Sequence, residues 1–158
     1  MATEEQKKAR LLNVFNITIY GLIKGLWDLF GESSFATVQS VGNRVLTTME
    51  KESGLEIHGE NQEDILQEIV RLLTDEVGTM SSGDVVIEGK DVSIACQECV
   101  LRKATRWLED DGIQPFACLP MNVATAAMRK RLGAKHRLLG REWDAQTQTC
   151  TIKFELFE

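Results

Sequence analysis

Residues 84–100, DVVIEGKDVSIACQECV, and residues 150–157, CTIKFELF, decide how this chain folds. The first stretch reads as two strands, Val85-Val86-Ile87 and Val92-Ser93-Ile94-Ala95-Cys96, joined over a Gly89-Lys90-Asp91 turn. Side chains alternate along a strand, so Val92, Ile94 and Cys96 share a face. The closing stretch sets Cys150, Ile152, Phe154 and Leu156 strictly against Thr151, Lys153 and Glu155, which predicts a half-buried strand. It places Cys150 on the buried face, at the end nearest the turn. Lys135 to Trp143 supplies its hairpin partner across a polar loop from Asp144 to Thr149. Between the hairpins, Val100 to Glu109 predicts a helix ended by Asp110-Asp111-Gly112. A second helix, Met121 to Leu132, is opened by Pro120 and stopped by Gly133.

Upstream the texture is helical. Thr3 and the glutamates after it begin a helix, with acidic residues where the macrodipole favours them. Leu11, Leu12, Phe15, Ile19, Leu22, Ile23, Leu26 and Phe30 recur at three- and four-residue steps and predict a buried stripe. The spacing leaves open whether this is one helix or two, broken near Gly21. From about Ser34 another helix carries Phe35, Val38, Val41, Gly42, Val45 and Met49 on one face, ending at Gly54. Asn61 is an N-cap for an amphipathic helix from Gln62 to Val77. A single domain spanning 1–158 is expected, helical over about 3–78 and built of hairpins and helices over about 84–158.

With 158 residues, the chain is long enough to bury a core without disulfides or metal. Its net charge of −6 argues against nucleic acid as the main partner and against an anionic membrane surface. The N-terminus lacks the basic and apolar regions of a signal peptide. Asn13, Asn16, Lys24 and Asp28 interrupt the most apolar stretch, which argues against a membrane span. A cytoplasmic location is expected, and there cysteines are read as thiols or metal ligands before disulfides.

All four cysteines lie in the second part of the chain, at 96, 99, 118 and 150. Three chemistries fit them. Four thiolates suit tetrahedral zinc, with the C-x2-C pair at a strand end supplying two ligands. Buried core thiols are the bland alternative, for Cys118 and Cys150 above all. A dithiol redox pair at Cys96 and Cys99 is the third, since the C-x2-C precedes a helix. The same thiolates would also take iron or an iron–sulfur cluster.

Cys118, the helix ending at Gly133, the following strand, Glu142, and Cys150 leading the last strand resemble the 4-vinyl-reductase domain. That domain, often called hydrocarbon-binding, is related to subunits of the TRAPP tethering complex and to the haem nitric-oxide-binding fold. The resemblance implies an α+β fold with a helical layer packed on an antiparallel sheet, often a homodimer, and in its better understood members a ligand sensor. It also implies zinc held by three cysteines and a carboxylate. Cys118 and Cys150 match two family cysteines, and Glu142 falls at or beside the place of the third. Cys96 or Cys99 would make up the missing thiolate. Because all-sulfur zinc is the usual structural arrangement, the expected ligands are Cys96, Cys99, Cys118 and Cys150, with Glu142 as the alternative. Between helices and sheet, the family's apolar pocket is expected at residues such as Phe15, Ile19, Phe35, Trp107 and Met121.

His58 and His136 stand alone and read as surface or strand residues. Arg129-Lys130-Arg131 sits at a helix C-terminus, where the dipole favours cations. No nucleophile elbow, P-loop or dinucleotide fingerprint is present. The leading expectation is a non-enzymatic domain that binds a hydrophobic small molecule. The alternatives are a redox or tetrapyrrole-related enzyme using the dithiol and a dimerising scaffold.

Overall fold

The computed structural model describes residues 1–157. Helix α1 (Glu4–Phe30) is continuous through Gly21. It starts at a capping box in which the Thr3 hydroxyl accepts from the Gln6 N–H and the Gln6 side chain accepts from the Thr3 N–H. A 3-10 segment (Gly31–Thr37) leads into α2 (Val38–Ser53), which ends at Gly54 in the left-handed conformation. The Asn61 side chain accepts from the Asp64 N–H and opens α3 (Gln62–Arg71), whose last turn widens into a π segment, Leu72–Glu76. Strands β1 (Ser82–Glu88) and β2 (Asp91–Gln97) form the first hairpin. Helices α4 (Arg102–Asp110) and α5 (Leu119–Leu132) follow. Strands β3 (Lys135–Asp144) and β4 (Thr149–Phe157) close the chain.

The sheet is antiparallel throughout, in the order β1-β2-β4-β3. Its inner face presents Val92, Ile94 and Cys96 from β2 and Cys150, Ile152 and Phe154 from β4, as strict alternation requires. Helices α3 and α5 cover that face, and α2 packs on α5. Residues Pro120 to Met128 of α5 are buried all round, which explains why this helix has no polar stripe. A smaller core joins Ile23 of α1 to Leu108, Ile113 and Phe116, extended by edge-to-face contacts of Phe35 with Phe116 and Trp27. The fold is the expected one, helices on an antiparallel sheet.

Gly42 sets the spacing of α2 and α5. A β-carbon there would stand 2.7 Å from the Asn122 carbonyl oxygen, a backbone atom in the buried stretch of α5. Gly42→Ala is expected to cost about 1–3 kcal/mol by forcing the helices apart. Its urea midpoint should fall, and an unchanged midpoint would show that the helices yield freely.

The expected buried stripe of α1 is corrected. Ile23 is 4% exposed, but Leu11 is 71% and Leu22 62% exposed, and Leu12, Phe15 and Phe30 also face outward. Only one side of α1 meets α4 and the 3-10 segment, so periodicity located an apolar face without saying what covers it. Asn16, which interrupts that pattern, is buried instead.

Glu155 ties the sheet across three strands. Its carboxylate accepts from Arg137 of β3 at 2.5 Å and pairs with Lys90 of the first hairpin's turn. Lys90 first, then Arg137, hold the carboxyl below the ordinary carboxylate range against the opposing effect of burial. A depressed folded pKa stabilises above the unfolded value and is lost as pH falls through the folded one. Glu155→Gln should therefore lower stability most near pH 7. The gap from wild type should close as pH falls through the carboxylate range; a gap constant from pH 7 to 3 would refute the linkage.

Candidate functional site

The cysteines come together where β2 leaves the sheet and β4 enters it. Cys96 and Cys150 are direct cross-strand partners. After Cys96 the chain turns at Glu98, whose φ of 50° is a left-handed conformation rare outside glycine. The turn is held by Glu98 N–H donating to Gln148 O and Val100 N–H donating to Thr79 O. It swings Cys99 to the same place as Cys96. Cys118 arrives from the other side as the N-cap residue of α5, its carbonyl accepting from the Asn122 N–H.

All four cysteines line one cavity of about 20 Å³, with Arg141, Trp143 and Ile152 among its walls. That is room for about one water-sized occupant. Arg141 reaches it through a β-bulge between Leu138 and Gly140. The bulge shifts the alternation of β3 by one residue, so Arg141 sits opposite Ile152 and Trp143 opposite Cys150, facing inward. Arg141 donates from Nη2 to Cys150 Sγ at 2.8 Å. Arg106 of α4 lies over the Trp143 ring, 5.7 Å from its centroid.

Burial pushes the Cys96 thiol up strongly, reinforced by its neighbours Cys118 and Cys99. Burial also raises Cys99, against a backbone hydrogen bond at Leu101. Cys118 is pushed up to about 11 by burial, with Arg141 pulling the other way. In the protein alone these three are thiols at neutral pH, poor nucleophiles without a compensating cation. The donor set suits a single thiophilic ion, since the one guanidinium of Arg141 cannot balance four thiolates. Among the described residues no three His, Cys, Asp or Glu side chains stand gathered as a metal-holding group. Protonated thiols have no charge drawing them to a common centre, and rotation about one Cα–Cβ bond redirects each sulfur.

Glu142 lies elsewhere. Between the inward Arg141 and Trp143, it faces out and pairs with Lys153 at 2.6 Å. The expected pocket residues do not share one cavity. Phe35 and Met121 line an open cleft of about 270 Å³ with Val38, Phe116, Leu138 and His136. Trp107 packs edge-to-face on Tyr20, Ile19 borders the small core, and Phe15 is half exposed on α1. Sequence reasoning missed Arg141 and the cleft position of His136, whose Nδ1 is buried without a hydrogen-bond partner. The Gly140-Arg141 pair was the available signal, since glycine inside a strand often marks a bulge.

Fold and site together define an α+β domain with a thiol-lined cavity at one end of its sheet. Residues 13–154 match the family described as "Putative rubredoxin C-terminal domain". The match spans most of the chain, and the protein belongs to this family. Among solved structures the chain is similar to the phenol-responsive sensory domain of the transcription activator PoxR with phenol. The TM-score is 0.54 at 16% identity, over 89% of this chain and 73% of that one. At that identity the likeness is one of fold. No curated protein matches the sequence significantly. Among the described residues no helix is long and apolar enough to cross a membrane.

Proposed function

We propose that this chain is a small-molecule-binding or sensing domain in which one metal ion, zinc by preference, ties together Cys96, Cys99, Cys118 and Cys150. The observation that carries the metal reading is the single atom-sized cavity lined by all four thiols. Zinc with four sulfur ligands and no open position is structural in kind. It would clamp β2, the turn before α4, the start of α5 and β4. Iron on the same thiolates is the variant that the rubredoxin in the family's description supports.

The ligand's place in this reading is the cleft at Phe35, Phe116, Met121 and Leu138. Its apolar walls and few polar groups suit a hydrophobic small molecule. The fold of a domain that responds to phenol supports the same class of ligand, as does the resemblance of Cys118 to Phe154 to the 4-vinyl-reductase domain.

The face of α1 supports a second copy as partner. Phe15, Leu22 and Leu29 follow one another at seven-residue steps and are all exposed, the spacing of a helix–helix seam. A dimer by light scattering that dissociates in Leu22→Glu would support this, and a monomeric wild type would end it.

Elemental analysis of protein purified without chelator, with native mass spectrometry on the same sample, tests the metal reading. About one metal per chain, with thiols that resist a thiol reagent until chelator is added, is the expected result. No metal with freely reactive thiols would end the metal reading, and no metal with a mass about two units light per cysteine pair would replace it with dithiol redox chemistry.

A further inference from the structure

We propose that Arg141 is the built-in counter-charge of the cysteine site, its guanidinium donating N–H···S bonds to the thiolates that hold the ion. The proposal rests on the metal reading above and deepens it, assigning a residue that controls how tightly the ion is held.

Arg141 is brought to the cavity by a specific device, since without the bulge at Leu138/Gly140 the alternation of β3 would turn it to the outer face. Its side chain is only 6% exposed, a rare state for a charged residue unless it is paired. It already touches one sulfur, Nη2 to Cys150 Sγ at 2.8 Å. Yet Nε and Nη1 are buried with no hydrogen-bond partner. The nearest carboxylate oxygen, of Glu109, stands 3.8 Å from Nη1, beyond hydrogen-bond range.

A purely structural arginine would leave two buried donors unmet, which is costly. A set of thiolates meets them. Four thiolates on a divalent ion carry a surplus of negative charge in a poorly polarisable cavity, and one planar cation among them reduces that surplus. Hydrogen bonds that involve ionised partners are also the strong ones. By withdrawing charge from the sulfurs, such bonds lower the energy of their lone pairs. The ion's spectrum therefore reports them directly.

Cobalt(II) added to the full-length chain is the probe, read through its affinity in competition with a chromophoric chelator and through its sulfur-to-cobalt charge-transfer band. Arg141→Gln should weaken cobalt binding about 10- to 100-fold, the usual cost of losing an outer partner of a metal ligand. Its charge-transfer band should move to lower energy. Arg141→Lys, which keeps the charge but not the fork, should recover part of both. Glu109→Gln should match wild type in both. A Gln variant with wild-type affinity and an unmoved band overturns the proposal. So does equal weakening in the Lys and Gln variants with an unmoved band, because that reports scaffold damage alone. A wild-type chain that takes up cobalt with no charge-transfer band overturns the metal reading itself, an outcome separable from the other two.

Discussion

Asn16→Ala is expected to lower stability by about 2–5 kcal/mol, although it removes a polar group from an apolar helix. Asn16 is 1% exposed and joins α1 to the start of α4. Its Nδ2 donates to the Val100 carbonyl at 2.8 Å and to the Leu12 carbonyl at 2.9 Å. Its Oδ1 accepts from the Ala104 N–H at 3.0 Å. Ala104 lies in the first turn of α4, where N–H groups have no partner within their own helix. No side chain caps α4 locally, so Asn16 serves that end from another helix. Truncation orphans a buried donor and deprives a buried acceptor, at about 1–3 kcal/mol each. Asn16→Leu should fare no better, because added apolar surface does not satisfy those groups. Urea unfolding is the measurement, with a lowered midpoint and an unchanged slope expected. A shift below about 0.5 kcal/mol in both variants would mean the backbone groups find other partners.

The second large effect concerns the ion. Removing metal from the wild type, or removing a ligand by Cys118→Ala, should each lower the melting temperature, and the two losses should not add. An ion present at about a thousand times its dissociation constant stabilises the folded state by about 4 kcal/mol. For a chain of this size that is roughly 8–16 °C. Cys118 is the informative ligand to remove because it stands at the start of α5, outside the paired strands that carry Cys96 and Cys150. Chelator should then leave the Cys118→Ala variant unmoved.

The pH dependence has a definite sign. Burial raises the Cys96, Cys99 and Cys118 thiols above their ordinary value, and only thiolates bind metal, so uptake releases protons. Metal-linked stability should grow with pH and disappear as pH falls. A wild type whose melting is indifferent to chelator across pH 6 to 8 would remove the metal from the account.

The local structure was written in short-range chemistry. Thr3 and Asn61 open helices because their side chains accept the first free N–H groups, and Gly54 and Gly133 end helices because they adopt the left-handed conformation without strain. Alternation in β4 put Cys150 on the inner face, and the hairpin pattern put Cys96 there too. These signals involve residues a few positions apart, so they are legible before the chain is folded.

What depends on distant partners was not legible. The α1 pattern marked an apolar face but not its covering, because periodicity describes one helix and burial needs two surfaces. Asn16 read as an interruption because its partners, Val100 and Ala104, come from the far half of the chain. Glu142 and Arg141 exchanged the sides that simple alternation assigns them, since one extra residue in β3 inverts every side chain beyond it. The sequence by itself determined the elements, the α+β class and the presence of four thiols in its second part. Only the tertiary structure decided that those thiols share one cavity with a buried guanidinium, because that meeting depends on a left-handed turn at Glu98 and the docking of α5, which no local pattern encodes, and on a bulge that Gly140 marks without fixing its register.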